Sequence, residues 1–289
     1  MSDIAIIGAG KLGTHLGYAL SQKGHRIVTI SDKSLSAAQE SQRFIGQGKY
    51  MDDNRYAARN GQWIILTLPD DVVESVVEEL ADSEIEWKDK FVFHCSGLLT
   101  TGYLMPLEKR GALVASIHPV QSFPQKKPNL KSFEGIYFGL EGNRDALELA
   151  IKIARQLGGQ HFILEAQNKP LYHTACSMAS NFLATLLDTA KELLSKASLD
   201  DSIASQVLMP LVQGTLQNVK KFDASTALTG PIVRGDEESI ARHIQALQKF
   251  PELRNFYIEI ALRSLQIAKR DKKIPEDKIK AMKALLEGK

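Results

Sequence analysis

Residues 4–20 read IAIIGAGKLGTHLGYAL. A short apolar run leads into Gly8, Gly10 and Gly13 at GxGxxG spacing, and apolar residues then recur at helical period. In a strand–turn–helix of this kind the first glycine permits the tight turn. The second lets backbone approach a pyrophosphate, and the third lets the helix pack closely on the strand. The helix amino terminus adds N–H groups and the positive end of its dipole. The spacing therefore predicts that Gly8, Gly10, Lys11, Leu12 and Gly13 cradle a dinucleotide. A purely structural glycine turn is the alternative, and the repetition of the unit downstream weighs against it.

That repetition is plain. The apolar runs RIVTI (26–30), WIILTLP (63–69) and FVFHCSG (91–97) are separated by segments of helical period such as VVESVVEEL (72–80). ALVASIHP (112–119) and IYFGLE (136–141) follow, then a helix over about 144–157 and a last strand, HFILE (161–165). Alternation of this kind predicts an α/β doubly wound, mostly parallel sheet. From about residue 168 onward nearly everything has helical period, broken around TALTGPIVRGD (226–236). The expected organisation is an α/β domain over 1–166 and an all-α domain over 167–289. The charged stretch 268–289 reads as a peripheral amphipathic helix.

A chain of 289 residues suffices for two domains of about 100–200 residues each. It is 44% hydrophobic and 24% charged, ordinary for a globular protein with a sizeable core. A net charge of +2 gives no reason to expect a nucleic acid or an acidic membrane as partner. The first apolar run is too short and lacks the basic leader of a signal peptide, and no run approaches a membrane span. Cys95 and Cys176 have no metal-ligand spacing and suit a reducing compartment. The expectation is a cytoplasmic protein without a metal.

The second strand ends in TISDKS (29–34). Asp32, about twenty residues after the glycines, suits the ribose hydroxyls of NAD. Lys33, with Ser31 and Ser34, suits a 2′-phosphate instead. The expected cofactor is NADP, with NAD the alternative. Two later loops, LPDD (68–71) and HCSGLL (94–99), should face the nicotinamide, because ligands bind beyond the carboxyl ends of strands in open α/β sheets. Leu68, Pro69, Ser96 and Gly97 are the candidates there. In SIHPVQSF (116–123), His118 is held extended by Pro119 and can donate to a substrate carboxylate or carbonyl. A structural role at the strand end is the alternative for His118.

Pro170 suits the first turn of a helix, which the periodicity carries from about Asn168 to Lys196. Ala175, Met178, Ala179, Phe182, Leu183 and Leu186 make an apolar face. His173, Ser177, Ser180 and Asn181 lie on the other side, followed by Asp188, Lys191 and Glu192. The early residues are poor helix formers with hydrogen-bonding heads, where a solvated face would use Lys and Glu. They read as the lining of a site. His173 leads them and is the natural proton donor, since imidazole has an ordinary pKa of about 6.5.

The glycine motif, HCSGLL, SIHPVQSF, HTACSMASNF (173–182) and ALTGPIVRGD (227–236), in this order, resemble a poorly characterised family of Rossmann-like oxidoreductases with an all-helical carboxy-terminal domain. The wider group is similar to ketopantoate reductase, pyrroline-carboxylate reductase, and the hydroxyacid and phosphogluconate dehydrogenases. In the ketopantoate and hydroxyacid enzymes, the first long helix after the Rossmann domain carries a catalytic lysine and, one turn later, an asparagine. Here Lys169 and His173 both stand where that lysine is expected. Ser177 is one turn beyond His173, and Asn181 two. The resemblance implies a homodimer joined through the helical half, for which the apolar run FYIEIALRSLQIA (256–268) is the sequence candidate.

TGPIVRGD also has a physical reading. Gly230-Pro231 interrupts the helical pattern, Asp236 suits an N-cap, and Arg234 and Thr229 sit on the loop between. A guanidinium there can grip a carboxylate or simply pair with Asp236. The activity expected is NAD(P)H-dependent reduction of a small 2-oxo acid, ketopantoate first. Imine reduction and dinucleotide sensing without turnover are the alternatives.

Overall fold

The opening segment forms the middle of an eight-stranded sheet in the computed structural model, which describes residues 1–271 and 273–288. β1 (Asp3–Ile7) turns into α1 (Lys11–Gln22), followed by β2 (Arg26–Ser31), α2 (Leu35–Ile45), β3 (Lys49–Met51) and α3 (Asn54–Asn60). Then come β4 (Trp63–Leu66), α4 (Asp70–Ala81), β5 (Phe91–His94), α5 (Met105–Glu108) and β6 (Leu113–Pro119). β7 (Tyr137–Gly142), α6 (Arg144–Gln156) and β8 (Gln160–Ile163) complete the sheet. The strand order is β3-β2-β1-β4-β5-β6-β7-β8, parallel except for the antiparallel pair β6–β7. β1 has β2 on one side and β4 on the other, so the topological switch point lies beyond the carboxyl ends of β1 and β4.

Alternate strand residues enter opposite cores, as the pleat requires. Ile4, Ile6, Ile65 and Phe93 pack on one face of the sheet; Ala5, Ile7, Ile64 and Val92 pack on the other. Cover on both faces is why these strands read as unbroken apolar runs. The short edge strand β3, KYM, has no such run, and the sequence did not announce it.

Two of the three motif glycines are fixed by packing. Gly8 has φ +102°, and a Cβ there would lie 2.4 Å from the Thr67 carbonyl oxygen. A Cβ on Gly13 would lie 2.2 Å from the Gly8 carbonyl oxygen and 2.4 Å from Thr67 Oγ1. The Thr67 hydroxyl in turn donates to the Gly8 carbonyl at 2.6 Å, locking β4 to the turn. Gly10 differs: nothing stands within 4 Å of a Cβ built on it.

The chain divides into two compact units, Met1–Phe182 and Leu183–Lys289. The first extends past the sheet through α7 (Lys169–Ala179) to the opening residues of α8 (Asn181–Lys196). The second contains the rest of α8, then α9 (Asp201–Phe222), α10 (Ala224–Ala227), α11 (Pro231–Arg234), α12 (Glu237–Ala246), α13 (Pro251–Arg270) and α14 (Glu276–Glu287). Its core joins Ile240 of α12, Ala261, Leu265 and Ala268 of α13, and Met282 and Leu286 of α14. The carboxy-terminal helix is thus part of that core; Lys272 and Lys289 of the charged stretch lie outside the described residues. The run 256–268 also turns much of its apolar surface into this core. Ile260 of that run is exposed, and α8 and α9 expose more apolar residues, with Leu211 68% exposed and Val207 52%.

The single helix expected from 168 to 196 is two. α7 ends at Ala179, Ser180 leaves helical geometry at φ −115° and ψ −70°, and α8 starts at Asn181. Side-chain hydroxyls and amides compete for backbone hydrogen bonds, which makes Ser180-Asn181 a weak point in the helical run. Asp188 therefore does not share a helix with His173.

Candidate active site

A cleft of 440 Å³ opens at the switch point. Gly10, Lys11 and Leu12 border it from the glycine turn, Leu68, Pro69 and Asp70 from the end of β4, and Cys95, Ser96 and Gly97 from the end of β5. Gly8 and Gly13 stand behind this wall and hold its shape. Gly10 faces open space, the vacancy a close-lying ligand needs. Ser31, at the end of β2, is fully buried, and its hydroxyl donates to Asn54 Oδ1 at 2.8 Å. Asp32 accepts the Ala9 N–H at 2.8 Å and the Ser34 N–H at 2.9 Å, so both carboxylate oxygens brace the backbone. Lys33 beside them is exposed.

The loop after β5 is held from several directions. His94 is fully buried; its Nδ1 accepts the Ser96 N–H at 3.2 Å, which leaves Nε2 to donate to the Thr100 carbonyl at 3.2 Å. Burial, with the charge of Lys169, pushes His94 down to about 3, so it stays neutral. Ser96 Oγ accepts the N–H groups of Leu98 and Leu99 at 3.0 and 2.9 Å. Glu141 on β7 accepts the Thr101 N–H at 2.8 Å and the Thr101 hydroxyl at 2.6 Å.

Lys169 completes this frame. It is 1% exposed, and its amine donates to Ser116 Oγ at 2.5 Å and to the Ser96 carbonyl at 3.3 Å, with Glu141 Oε2 at 3.8 Å. Burial pushes it down to about 8, against the opposing pull of Glu141 and Asp70. Through these bonds the buried amine braces the loop after β5 against β6 and β7.

A second cleft, of 580 Å³, lies next to the first. Gln121 and Ser122 line one side; Tyr172, Cys176, Ser177 and Asn181 line the other. His118 and His173 line both clefts. Their ring centroids are 6.2 Å apart, and Gly97 sits against both: a Cβ there would lie 2.8 Å from His173 Cδ2 and 3.0 Å from His118 Cε1 and Nε2. Only glycine lets the two imidazoles approach the loop so closely. His118 Nδ1 is 2.6 Å from the Tyr172 hydroxyl. Burial first, then the charges of Lys169 and His173, push His118 down to about 4.

The structure thus brings together Gly10, Lys11, Leu12, Leu68, Pro69, Ser96 and Gly97 around one cleft, and His118, His173, Ser177 and Asn181 around the next. Thr229 and Arg234 belong to the second compact unit. Arg234 Nη2 is 3.9 Å from Asp236 Oδ2, and Asp236 caps α12 by accepting the Ser239 N–H at 3.0 Å. Sequence reasoning missed Tyr172, which directly precedes HTACSMASN. Its signal is Gly139, the residue opposite His118 across β6 and β7, where a side chain would meet the phenol.

The sheet order, glycine turn and switch-point cleft define a Rossmann-like α/β fold followed by a helical region. Residues 2–119 match the Rossmann-like domain family, and residues 136–264 match the domain of unknown function DUF2520. Among solved structures, the chain resembles the Bacteroides fragilis protein BF3122, provisionally assigned as an NADP oxidoreductase, at 24% identity and a TM-score of 0.77 over 92% of this chain and 98% of that one. Protein TM1727 of Thermotoga maritima is 26% identical, with a TM-score of 0.71 over 93% and 99% of the two chains. A pyrroline-5-carboxylate reductase of Coxiella burnetii is 18% identical, with a TM-score of 0.58 over 93% and 98%. Comparison with curated proteins finds no match. Among the described residues, no helix is long and apolar enough to cross a membrane.

Proposed function

We propose that the protein is an NAD(P)H-dependent reductase of a small 2-oxo acid, with ketopantoate the first substrate to try. The observation that carries this is the meeting of two clefts at His118 and His173. The first cleft fits a dinucleotide: an open Gly10, the amino terminus of α1 and a position at the switch point are what a pyrophosphate needs. A reduced nicotinamide bound there supplies hydride. His173 protonates the oxygen of the reduced carbonyl, while His118, Ser177 and Asn181 hold and orient the substrate. The protein is assigned to the cytoplasm.

Imine reduction is the alternative. The pyrroline-carboxylate reductase above, and an imine reductase of Pseudomonas with 17% identity and a TM-score of 0.61, favour testing it beside the keto acids. An iminium carbon needs less help from a proton donor, so activity that survives loss of His173 selects this chemistry. NADPH oxidation measured across a panel of 2-oxo acids and cyclic imines decides. Turnover of a 2-oxo acid supports the proposal, and turnover of imines alone replaces it. Tight NADPH binding with no turnover of any compound marks a sensing protein.

NADP is the proposed partner of the first cleft. Asp32 is committed to bracing the glycine turn, while Lys33 is exposed at the end of β2. One charge-assisted contact contributes about 1.5–3 kcal/mol. Lys33→Ala should therefore weaken NADPH binding by about tenfold or more and leave NADH binding nearly unchanged, as read by fluorescence titration. Equal losses for both cofactors contradict the assignment.

A homodimer is proposed through α8 and α9. In these helices only Ala204 is buried, and Leu186, Val207 and Leu211 are exposed. Single exposed apolar residues are ordinary, but α9 alone exposes Ile203, Val207, Leu211 and Phe222, which suits an interface. Light scattering at micromolar concentration should give about twice the mass of the chain, and Leu211→Glu should lower it to one.

A further inference from the structure

We propose that Tyr172 is a positioning residue that fixes His118 as the tautomer carrying its proton on Nε2, so that a neutral imidazole donates a hydrogen bond at the junction of the two clefts. The inference deepens the proposed reductase function and rests on it only for its catalytic consequence. The local geometry starts from a pairing across the sheet. His118 on β6 is opposite Gly139 on β7, and that glycine leaves the space into which α7 inserts the Tyr172 ring. A Cβ on Gly139 would stand 3.0 Å from the Tyr172 hydroxyl oxygen and 3.2 Å from Cζ. The phenol passes over the glycine and ends 2.6 Å from His118 Nδ1.

Acidity selects the donor: a phenol O–H is a stronger acid than the N–H of a neutral imidazole, and the imidazole nitrogen is the stronger acceptor. The Cys176 thiol shares the same hydroxyl, but sulfur is a weak acceptor and does not compete with an imidazole nitrogen for the phenol proton. Burial raises the Tyr172 phenol above its ordinary range, and burial with the charges of Lys169 and His173 lowers His118 to about 4, so both groups are neutral near pH 7. With Nδ1 accepting, the only ring proton on nitrogen is at Nε2. The Nε2–Cε1 edge is the one turned to Gly97, on the wall of the first cleft.

A neutral imidazole donor suits the oxygen or nitrogen of a substrate double bond. It polarises the bond without handing over a proton, which leaves proton delivery to His173. The two histidines thereby take different tasks because His118 has a tyrosine behind it.

The test reads the tautomer directly in the protein free of cofactor and substrate. Long-range proton–nitrogen correlation spectra of histidine-labelled protein, with His118 assigned by its loss in His118→Gln, should show protonated Nε2 and bare Nδ1. A protonated Nδ1 in the unsubstituted protein overturns the proposal. Tyr172→Phe, and separately Gly139→Ala, which keeps the phenol but displaces it, should each give a mixture of tautomers. A folded Tyr172→Phe that keeps the Nε2–H form alone also overturns it. With an active substrate, both variants should lose about tenfold in kcat, the scale of one hydrogen bond, with NADPH affinity unchanged. Because the spectra need no turnover, failure of the tyrosine–histidine pair and failure of the reductase proposal give separate results.

Discussion

Gly10→Val is expected to leave the thermal unfolding curve almost unchanged and to lower NADPH affinity by at least about 100-fold. The two halves of this expectation have separate causes. Gly10 has extended backbone geometry at φ −73°, which valine adopts readily, and no atom lies within 4 Å of its Cβ. The fold therefore tolerates the branched side chain. The same space is where a pyrophosphate must approach the backbone N–H groups of the turn, and losing two charge-assisted hydrogen bonds at about 1.5 kcal/mol each amounts to about two powers of ten. Gly13→Val provides the contrast. Its Cβ would lie 2.2 Å from the Gly8 carbonyl oxygen, so that variant should fail to fold before binding can be measured. NADPH titration of folded Gly10→Val, with affinity unchanged, removes the dinucleotide from this cleft.

His173→Ala should reduce kcat by about 100-fold or more, the usual scale for losing a general acid, with folding and NADPH binding preserved. The imidazole is half-buried on α7 at the wall between the clefts and belongs to none of the hydrophobic cores. Thr174→Ala is the control on the same helix. Thr174 is exposed and its hydroxyl only returns to the Pro170 carbonyl at 2.8 Å, so its removal should stay within about 0.5 kcal/mol in stability and have no effect on kcat. Steady-state kinetics of both variants against one substrate make the comparison. A preserved kcat in His173→Ala, with a large loss of stability, makes His173 a packing residue.

What the sequence revealed and what it concealed follow the range of the interactions. The glycine turn, the strands of the two-sided sheet and the helical second half announce themselves through local spacing, because each is specified by its own neighbours. β3 was hidden because three residues at a sheet edge have no period to read. The break at Ser180 was visible only as a run of poor helix formers, which also suits a lined site. The burial of Lys169 was concealed for a different reason: a lysine on an amphipathic helix is ordinarily exposed, and only the convergence of Ser116, Ser96 and Glu141 from three segments gives its amine partners inside. Tyr172 reaches His118 across 54 residues, and the glycine that admits it is on a third element. Such contacts depend on strand register, which no local pattern contains.

The central claim is that the reacting end of a reduced dinucleotide meets His118 and His173 where the two clefts join. Nuclear Overhauser contacts between the nicotinamide H4 protons of bound NADPH and the histidine ring protons measure this directly, with His118→Gln and His173→Ala assigning the rings. Contacts from H4 to both rings are predicted. Contacts from the adenine protons to these rings, or bound NADPH with no contact from H4 to either, contradict it.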